Sequence, residues 1–244
     1  MREDPPAPHH SQARGGSLQE GHLTDEERSV RRDAVAELGQ TLRELVDAAV
    51  RTEVPPARLA EATRAARELT ALLSEDLREL HEIATVDDPA TGERWYSPVY
   101  GPGSPVAPPM VVEDLPEERR CVGRVTVGKQ HEGPPGLVHG GVVATLLDHV
   151  LARSARAAGH GGLTATLTVS YRRPVHLGVP LVVTGELVSV DGRRATATAR
   201  AVAEDAPEIT LAEGEATLVA LRADRASEVF ARTGRDVGAW TSRG

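Results

Sequence analysis

Aromatic residues are scarce in this sequence: Phe, Trp and Tyr make up only 2% of its 244 residues. The core must therefore be packed from Val, Leu and Ala, and recognition of single-stranded nucleic acid by base stacking is not expected. Basic residues are also outnumbered, with 28 Lys and Arg against 36 Asp and Glu and a net charge of −8. This charge argues against nucleic acid or an anionic membrane surface as the main partner.

Disulfides, membrane spans and metal motifs are missing as well. The single cysteine, Cys121, excludes an internal disulfide and fits a reducing compartment. The longest apolar run, Gly140 to Leu147, is far shorter than the ~18 residues that a spanning helix needs. Nine histidines are scattered without ligand spacing, so neither a metal nor another cofactor is expected.

Residues 1–23 are polar and lack the apolar centre of a signal peptide. They are predicted to be a disordered leader, and the protein is expected to be soluble and cytoplasmic.

Two amphipathic helices are predicted near the N-terminus. Thr24 and Glu27 have the spacing of a capping box, and apolar residues then recur every three or four positions. A Pro-Pro pair ends this helix, and a second apolar stripe runs from Leu59 to Leu80. Residues 24–86 are therefore predicted to form a helical hairpin, whose stripe either packs on the rest of the chain or forms a coiled-coil seam for a partner.

The rest of the chain is predicted to divide into three parts. Residues 87–117 are rich in proline and form a linker or strap. Residues 118–222, where the apolar period changes to two, form the main domain, and residues 223–244 form a tail with a short helix. Strands are predicted at 121–130, 164–175, 181–190, 193–204 and 208–221, with a tight hairpin at Asp191-Gly192.

One apolar helix, predicted from Gly141 to Ala158, lies among these strands. It is hydrophobic around most of its circumference in its first three turns, which is typical of a buried helix. The alanines that alternate along 193–204 would let it approach the sheet closely. The predicted fold class is α+β, with an antiparallel sheet wrapped around this central helix.

Asp148 is the residue of this helix that needs a functional explanation, because a buried carboxylate is costly without partners. It lies about seven residues, or ~10 Å, from the helix start, too far to cap it. An ion pair with Arg153 or Arg156 on a solvated face is the structural alternative. A catalytic carboxylate is the favoured interpretation.

His139-Gly140-Gly141 precedes the helix and presents bare N–H groups where the helix dipole is positive, an arrangement that stabilises an oxyanion. His139 either takes part in catalysis or holds the turn by hydrogen bonding. Because ~10 Å separates Asp148 from its own helix terminus, two antiparallel helices must bring each Asp148 to the other copy's glycines. The active site is predicted between the two protomers of a dimer. His160-Gly161-Gly162 repeats the tripeptide before a strand and is predicted to be only a turn.

These residues also carry a family resemblance. The run EGPPGLVHGGVVATLLD at 132–148, followed by LTATLTVSYRRP at 163–174, resembles the hotdog-fold acyl-CoA thioesterases. It is most similar to their phenylacetate-pathway (PaaI) type, which includes thioesterase superfamily member 4. The resemblance covers roughly residues 94–221. It implies a hotdog fold that assembles as a homodimer or a dimer of dimers. It also implies an enzyme that hydrolyses acyl-CoA to free acid and coenzyme A without a metal.

The resemblance also implies roles for individual residues. Asp148 corresponds to the catalytic base or nucleophile, Gly141 to the amide that polarises the carbonyl, and Thr164 to the hydroxyl that places the water. Some family members carry an asparagine where this chain has Gly133, so Glu132 or the backbone is expected to replace it. Arginine forks suit phosphates, and the expected coenzyme A residues are Ser170, Arg172, Arg173, Arg193 and Arg194, the four arginines being clustered at a strand end and a hairpin.

Two other functions remain open on sequence grounds. A hotdog dehydratase would use a carboxylate or histidine near the same helix and eliminate water from a hydroxyacyl thioester. A non-catalytic acyl-CoA sensor would bind the same ligand and signal through the N-terminal helices. No basic recognition helix lies in 24–86, which weakens a DNA-binding form of the sensor.

Overall fold

The structure, a computed structural model, describes residues 23–233. Residues 1–22 of the predicted disordered leader and residues 234–244 of the predicted tail lie outside the described residues. Within 23–233 the helices are α1 (Asp25–Arg51), α2 (Pro56–Leu73), α3 (Gly140–Ala157) and α4 (Ala223–Phe230). The strands are β1 (Val111–Leu115), β2 (Arg120–Thr126), β3 (Leu163–Tyr171), β4 (Pro180–Asp191), β5 (Arg194–Ala203) and β6 (Ala206–Val219). None of these helices is long and apolar enough to cross a membrane.

The six described strands form one antiparallel sheet in the order β1-β2-β4-β5-β6-β3, and α3 packs across one face of it. This confirms the predicted sheet around a central helix. The helix lies close to the sheet at Gly185 of β4, where a Cβ atom would lie 2.4 Å from the Val150 carbonyl oxygen. The alternate alanines of β5 from Ala195 to Ala201 are buried beneath the helix, as the sequence predicted.

Several boundaries differ from the predictions. The predicted linker 87–117 contains β1, an edge strand that hydrogen-bonds to β2. The strand predicted at 121–130 ends at Thr126, and a short 3₁₀ helix, Lys129–His131, follows it. The second N-terminal helix ends at Leu73, before the end of its apolar stripe, and none of its residues is buried. The Asp191-Gly192 hairpin is confirmed, with Gly192 at φ +54°.

The first helix begins at the predicted capping box, in which Thr24 and Glu27 bond reciprocally. It then packs on residues 87–110 of the predicted linker, the part before β1, which we call the strap. The contact is at Gly39, where a Cβ would lie 2.3 Å from the Pro102 carbonyl oxygen. Arg43 donates to the carbonyl oxygens of Pro102 and Ser104 at 2.8 and 2.9 Å. The N-terminal helix and the strap are therefore joined by direct backbone contacts.

The strap also covers His149 on α3, whose ring centroid lies 4.7 Å from that of Tyr100. The Nε2 atom is buried without a hydrogen-bond partner in the described part of the chain. Burial, together with the positive charges of Arg153 and Arg156, lowers the pKa of His149 to about 4, and Asp114 opposes this shift. The imidazole is therefore neutral in the folded protein at neutral pH.

This buried histidine predicts acid sensitivity. Between pH 6.5 and about 4 the unfolded chain binds a proton at His149 that the folded chain does not, so stability falls as pH drops. From pH 7 to pH 5 the expected loss from this residue is about 2 kcal/mol. Urea unfolding of wild type and His149→Phe at both pH values measures it, and His81→Gln, an exposed histidine, is the control. An equal pH dependence in all three proteins would contradict this prediction.

Candidate active site

Asp148 and Thr164 form a polar pair beside the edge strand β3. The Thr164 hydroxyl donates a hydrogen bond of 2.9 Å to Asp148 Oδ1. This bond leaves Oδ2 and the Thr164 oxygen lone pairs as two neighbouring acceptors, which a water molecule can bridge. The structure thus brings together the two residues to which the family resemblance assigns the water-activating roles.

A β-bulge turns Thr164 toward the helix. Leu167 and Val169 of β3 pack against the core, so strict alternation would place Thr164 on the opposite face, with Thr166 and Thr168. The β3–β6 register shifts between Thr164 and Thr166, which inserts one extra residue and changes that parity. The alternation in the sequence shows no sign of this bulge, so spacing alone could not have placed Thr164 against α3.

The setting of Asp148 differs from the sequence prediction. Asp148 is half-buried rather than buried, because α3 is not covered all round. Gly141 and Thr145 are exposed and Ala152 is half-buried, which gives an uncovered stripe at helical spacing with Asp148 in its middle. We call this stripe, together with the exposed edge strand β3, the open flank. Its exposure follows from the position of β3 at the end of the sheet.

The glycine turn before α3 is held at both ends of one peptide unit. His139 is the N-cap residue, and its Nδ1 accepts the Gly141 N–H at 3.0 Å. The Tyr171 hydroxyl donates to the Gly140 carbonyl oxygen at 2.9 Å. His139 therefore holds the turn, which is one of the two roles predicted for it, and Tyr171 is a residue for which the sequence predicted no role. The only signal for it was its place on the apolar face of β3.

The residues proposed to replace the family asparagine have structural roles. Glu132 Oε1 accepts from the Gly136 N–H and from Lys129 Nζ, both at 2.7 Å, and these bonds lower the pKa of Glu132. A Cβ at Gly133 would lie 2.8 Å from His139 Cα, so this backbone leaves no room for an asparagine there. Glu132 thus organises the turn.

The four arginines do not form one cluster within a chain. Arg172 and Arg173 follow the last residue of β3, whereas Arg194 and the first residue of β3 both pair with Val219. At ~3.3 Å per residue, the two pairs lie roughly 26 Å apart. The two pairs lie at the predicted strand end and hairpin, and the length of β3 separates them within one protomer.

The remaining site residues and cavities lie elsewhere. Ser170 shares a groove of about 830 Å³ with Thr184 and Arg200, on the sheet face opposite α3. A second cavity of about 370 Å³ lies between the strap and β1. Neither described cavity includes Asp148. His160-Gly161-Gly162 is a loop before β3, as predicted. In the described part of the chain no three His, Cys, Asp or Glu side chains are grouped to hold a metal.

Comparison with known proteins places these features in a family context. Residues 135–210 match the family model of the thioesterase superfamily. The acyl-coenzyme A thioesterase THEM4 of Xenopus laevis is 38% identical over 77 residues, which are 32% of this chain and 35% of that protein. The chain thus spans about a third of the length of the curated relatives it matches.

Solved structures extend the likeness. The crystal structure of a thioesterase superfamily protein superposes with a TM-score of 0.68 and 36% identity, over 76% of this chain and 94% of that one. The E. coli PaaI protein superposes with a TM-score of 0.40 and 20% identity, over 43% of this chain and 74% of that one.

Proposed function

The chain belongs to the thioesterase superfamily, and on that premise we propose that it hydrolyses an acyl-coenzyme A thioester to a free acid and coenzyme A. The observation that carries this proposal is the Asp148–Thr164 pair on the open flank. Asp148 takes a proton from the bridging water as the water oxygen attacks the thioester carbonyl. The C–S bond then breaks, and the departing sulfur receives the proton.

The site is completed by a second copy of the chain. Asp148 lies seven residues, or ~10 Å, along α3 from Gly141, so one protomer cannot place both at a single carbonyl. Each chain instead carries two half-sites at opposite ends of β3: Asp148 with Thr164, and the Gly140–Gly141 turn with Tyr171. Antiparallel pairing of two β3 edges brings one half-site of each kind together, twice per dimer.

The same symmetry explains the arginines. In an antiparallel dimer, Arg172 and Arg173 at the end of β3 in one copy lie near Arg193 and Arg194 of the other. Arg172 is already paired with Glu213 at 2.8 Å, and Arg193 donates to the Ala220 carbonyl oxygen at 3.2 Å. All four arginines are exposed, but in the described part of the chain Arg173 and Arg194 have no ion pair or side-chain hydrogen bond. They are therefore the residues best placed to bind the coenzyme A phosphates.

Arg173→Ala and Arg194→Ala are therefore expected each to raise KM for acyl-CoA by about tenfold, with kcat within a factor of two, since charged hydrogen bonds contribute ~1.5–3 kcal/mol. With acyl-pantetheine, which lacks the nucleotide phosphates, neither variant should change KM. Arg64→Ala, on the exposed face of α2, is the control. An equal KM rise with both substrates would remove the arginines from phosphate binding.

Thiol release from a panel of acyl-CoAs tests the reaction itself. Turnover of at least one acyl-CoA, with release of one thiol per thioester, is the expected result. Tight binding without turnover would favour a sensor. A conjugated product from a hydroxyacyl-CoA, without thiol release, would favour a dehydratase.

A further inference from the structure

The peptide unit between Gly140 and Gly141 is held by a hydrogen bond at each end. Tyr171 donates to its carbonyl oxygen, and His139 Nδ1 accepts from its N–H. A carbonyl group and the N–H of the next residue lie in one plane, so a group that fixes the oxygen also fixes the direction of the N–H.

The two hydrogen bonds respond differently when a thioester binds. The Gly141 N–H is directed at His139, and a thioester oxygen that takes this hydrogen bond replaces Nδ1 as its acceptor. Once His139 is replaced, Tyr171 is the described side chain that still holds this peptide. Its hydrogen bond to the carbonyl oxygen also polarises the amide, which strengthens the N–H as a donor.

The position of Tyr171 is itself fixed by the sheet. Its backbone pairs with Ala212 of β6, and the N–H of Arg172 donates to the Leu211 carbonyl oxygen at 2.8 Å. A Cβ at Gly140 would approach the Tyr171 ring to 3.4 Å, so the ring lies directly against the turn. The phenol is thus carried by a backbone that the sheet holds in place, and its ring lies against the glycine turn.

From this geometry we propose that Tyr171 is a positioning residue for the oxyanion-binding amide. It keeps the Gly141 N–H aimed at the thioester oxygen when His139 is displaced. The inference rests on the proposed thioester hydrolysis, whose oxyanion site it extends from the glycines to a residue at the far end of β3.

Tyr171→Phe is the test, because it removes the hydroxyl and keeps the ring. We expect kcat for acyl-CoA hydrolysis to fall about five- to tenfold, with KM within a factor of two, as for one neutral hydrogen bond used in the transition state. The matched control is Tyr100→Phe, which removes a hydroxyl that bonds within the strap. Unchanged kcat in Tyr171→Phe, or an equal fall in both variants, would overturn the proposal.

Amide hydrogen exchange provides a readout that does not need turnover. In the free protein, Tyr171→Phe should increase exchange at Gly141 several-fold and leave Val142 and Val143 unchanged, because those N–H groups bond to the His139 carbonyl oxygen. Unchanged exchange at Gly141 would contradict the positioning role. If the wild type hydrolyses no acyl-CoA, the proposed reaction fails, and the exchange measurement still decides whether Tyr171 holds the peptide.

Discussion

Asp148→Asn is expected to lower kcat for acyl-CoA hydrolysis by about 10²–10⁴, the usual contribution of a general base. Asparagine keeps the size of the side chain and an oxygen that can accept from Thr164, but it has no carboxylate to take the proton of water. Because Asp148 is half-buried on the open flank, the substitution leaves no unpaired charge in the core. The rate of thiol release at saturating substrate measures the change in kcat.

Asp47→Asn is the matched control, since Asp47 lies on α1 in an exposed ion pair with Arg51. Its kcat should equal that of the wild type. Turnover by Asp148→Asn within threefold of wild type would exclude Asp148 as the base.

Gly141→Pro is expected to lower kcat by about 10²–10³, which is the effect of removing one oxyanion donor. Proline has no N–H, and the first turn of a helix tolerates it because the amides there have no intrahelical partner. Gly141 is the second residue of α3, so the helix should remain intact. Circular dichroism checks the fold, and kcat is measured on the same acyl-CoA.

Gly141→Ala distinguishes the effect of losing the amide N–H from the effect of steric crowding at the turn. Alanine keeps the N–H, and its Cβ would lie 3.1 Å from His139 Nδ1, so it disturbs only the cap. A fall in kcat in Gly141→Ala as large as in Gly141→Pro would show that steric crowding at the turn lowers kcat and that loss of the amide N–H does not.

Much of the fold could be predicted from local patterns. The Thr24 capping box, the apolar α3 and the Asp191-Gly192 turn are each specified by a few neighbouring residues, and all three are confirmed. The strand β1 was missed because prolines surround it and only one of its sides is paired. An edge strand needs fewer alternating apolar residues than a central one, so its periodicity is weak.

The candidate site was harder to predict from the sequence than the fold, because its geometry depends on pairing between distant segments. The bulge that turns Thr164 toward Asp148 arises from the β3–β6 register. The separation of Arg172 from Arg194 follows from the length of β3, which adjacent residues do not reveal. The expectation of a buried Asp148 failed for a related reason: an apolar helix beside an edge strand keeps one side open.

Subunit complementation between Asp148→Asn and Gly141→Pro is the most direct test of a site shared by two copies. In a homodimer of either variant, both active sites carry that variant's defect. A mixed dimer instead contains one site with both defects and one site with none. Co-expression with random pairing should therefore restore about a quarter of wild-type activity, since half the dimers are mixed and each has one intact site. A mixture no more active than its parents would contradict an active site built between protomers.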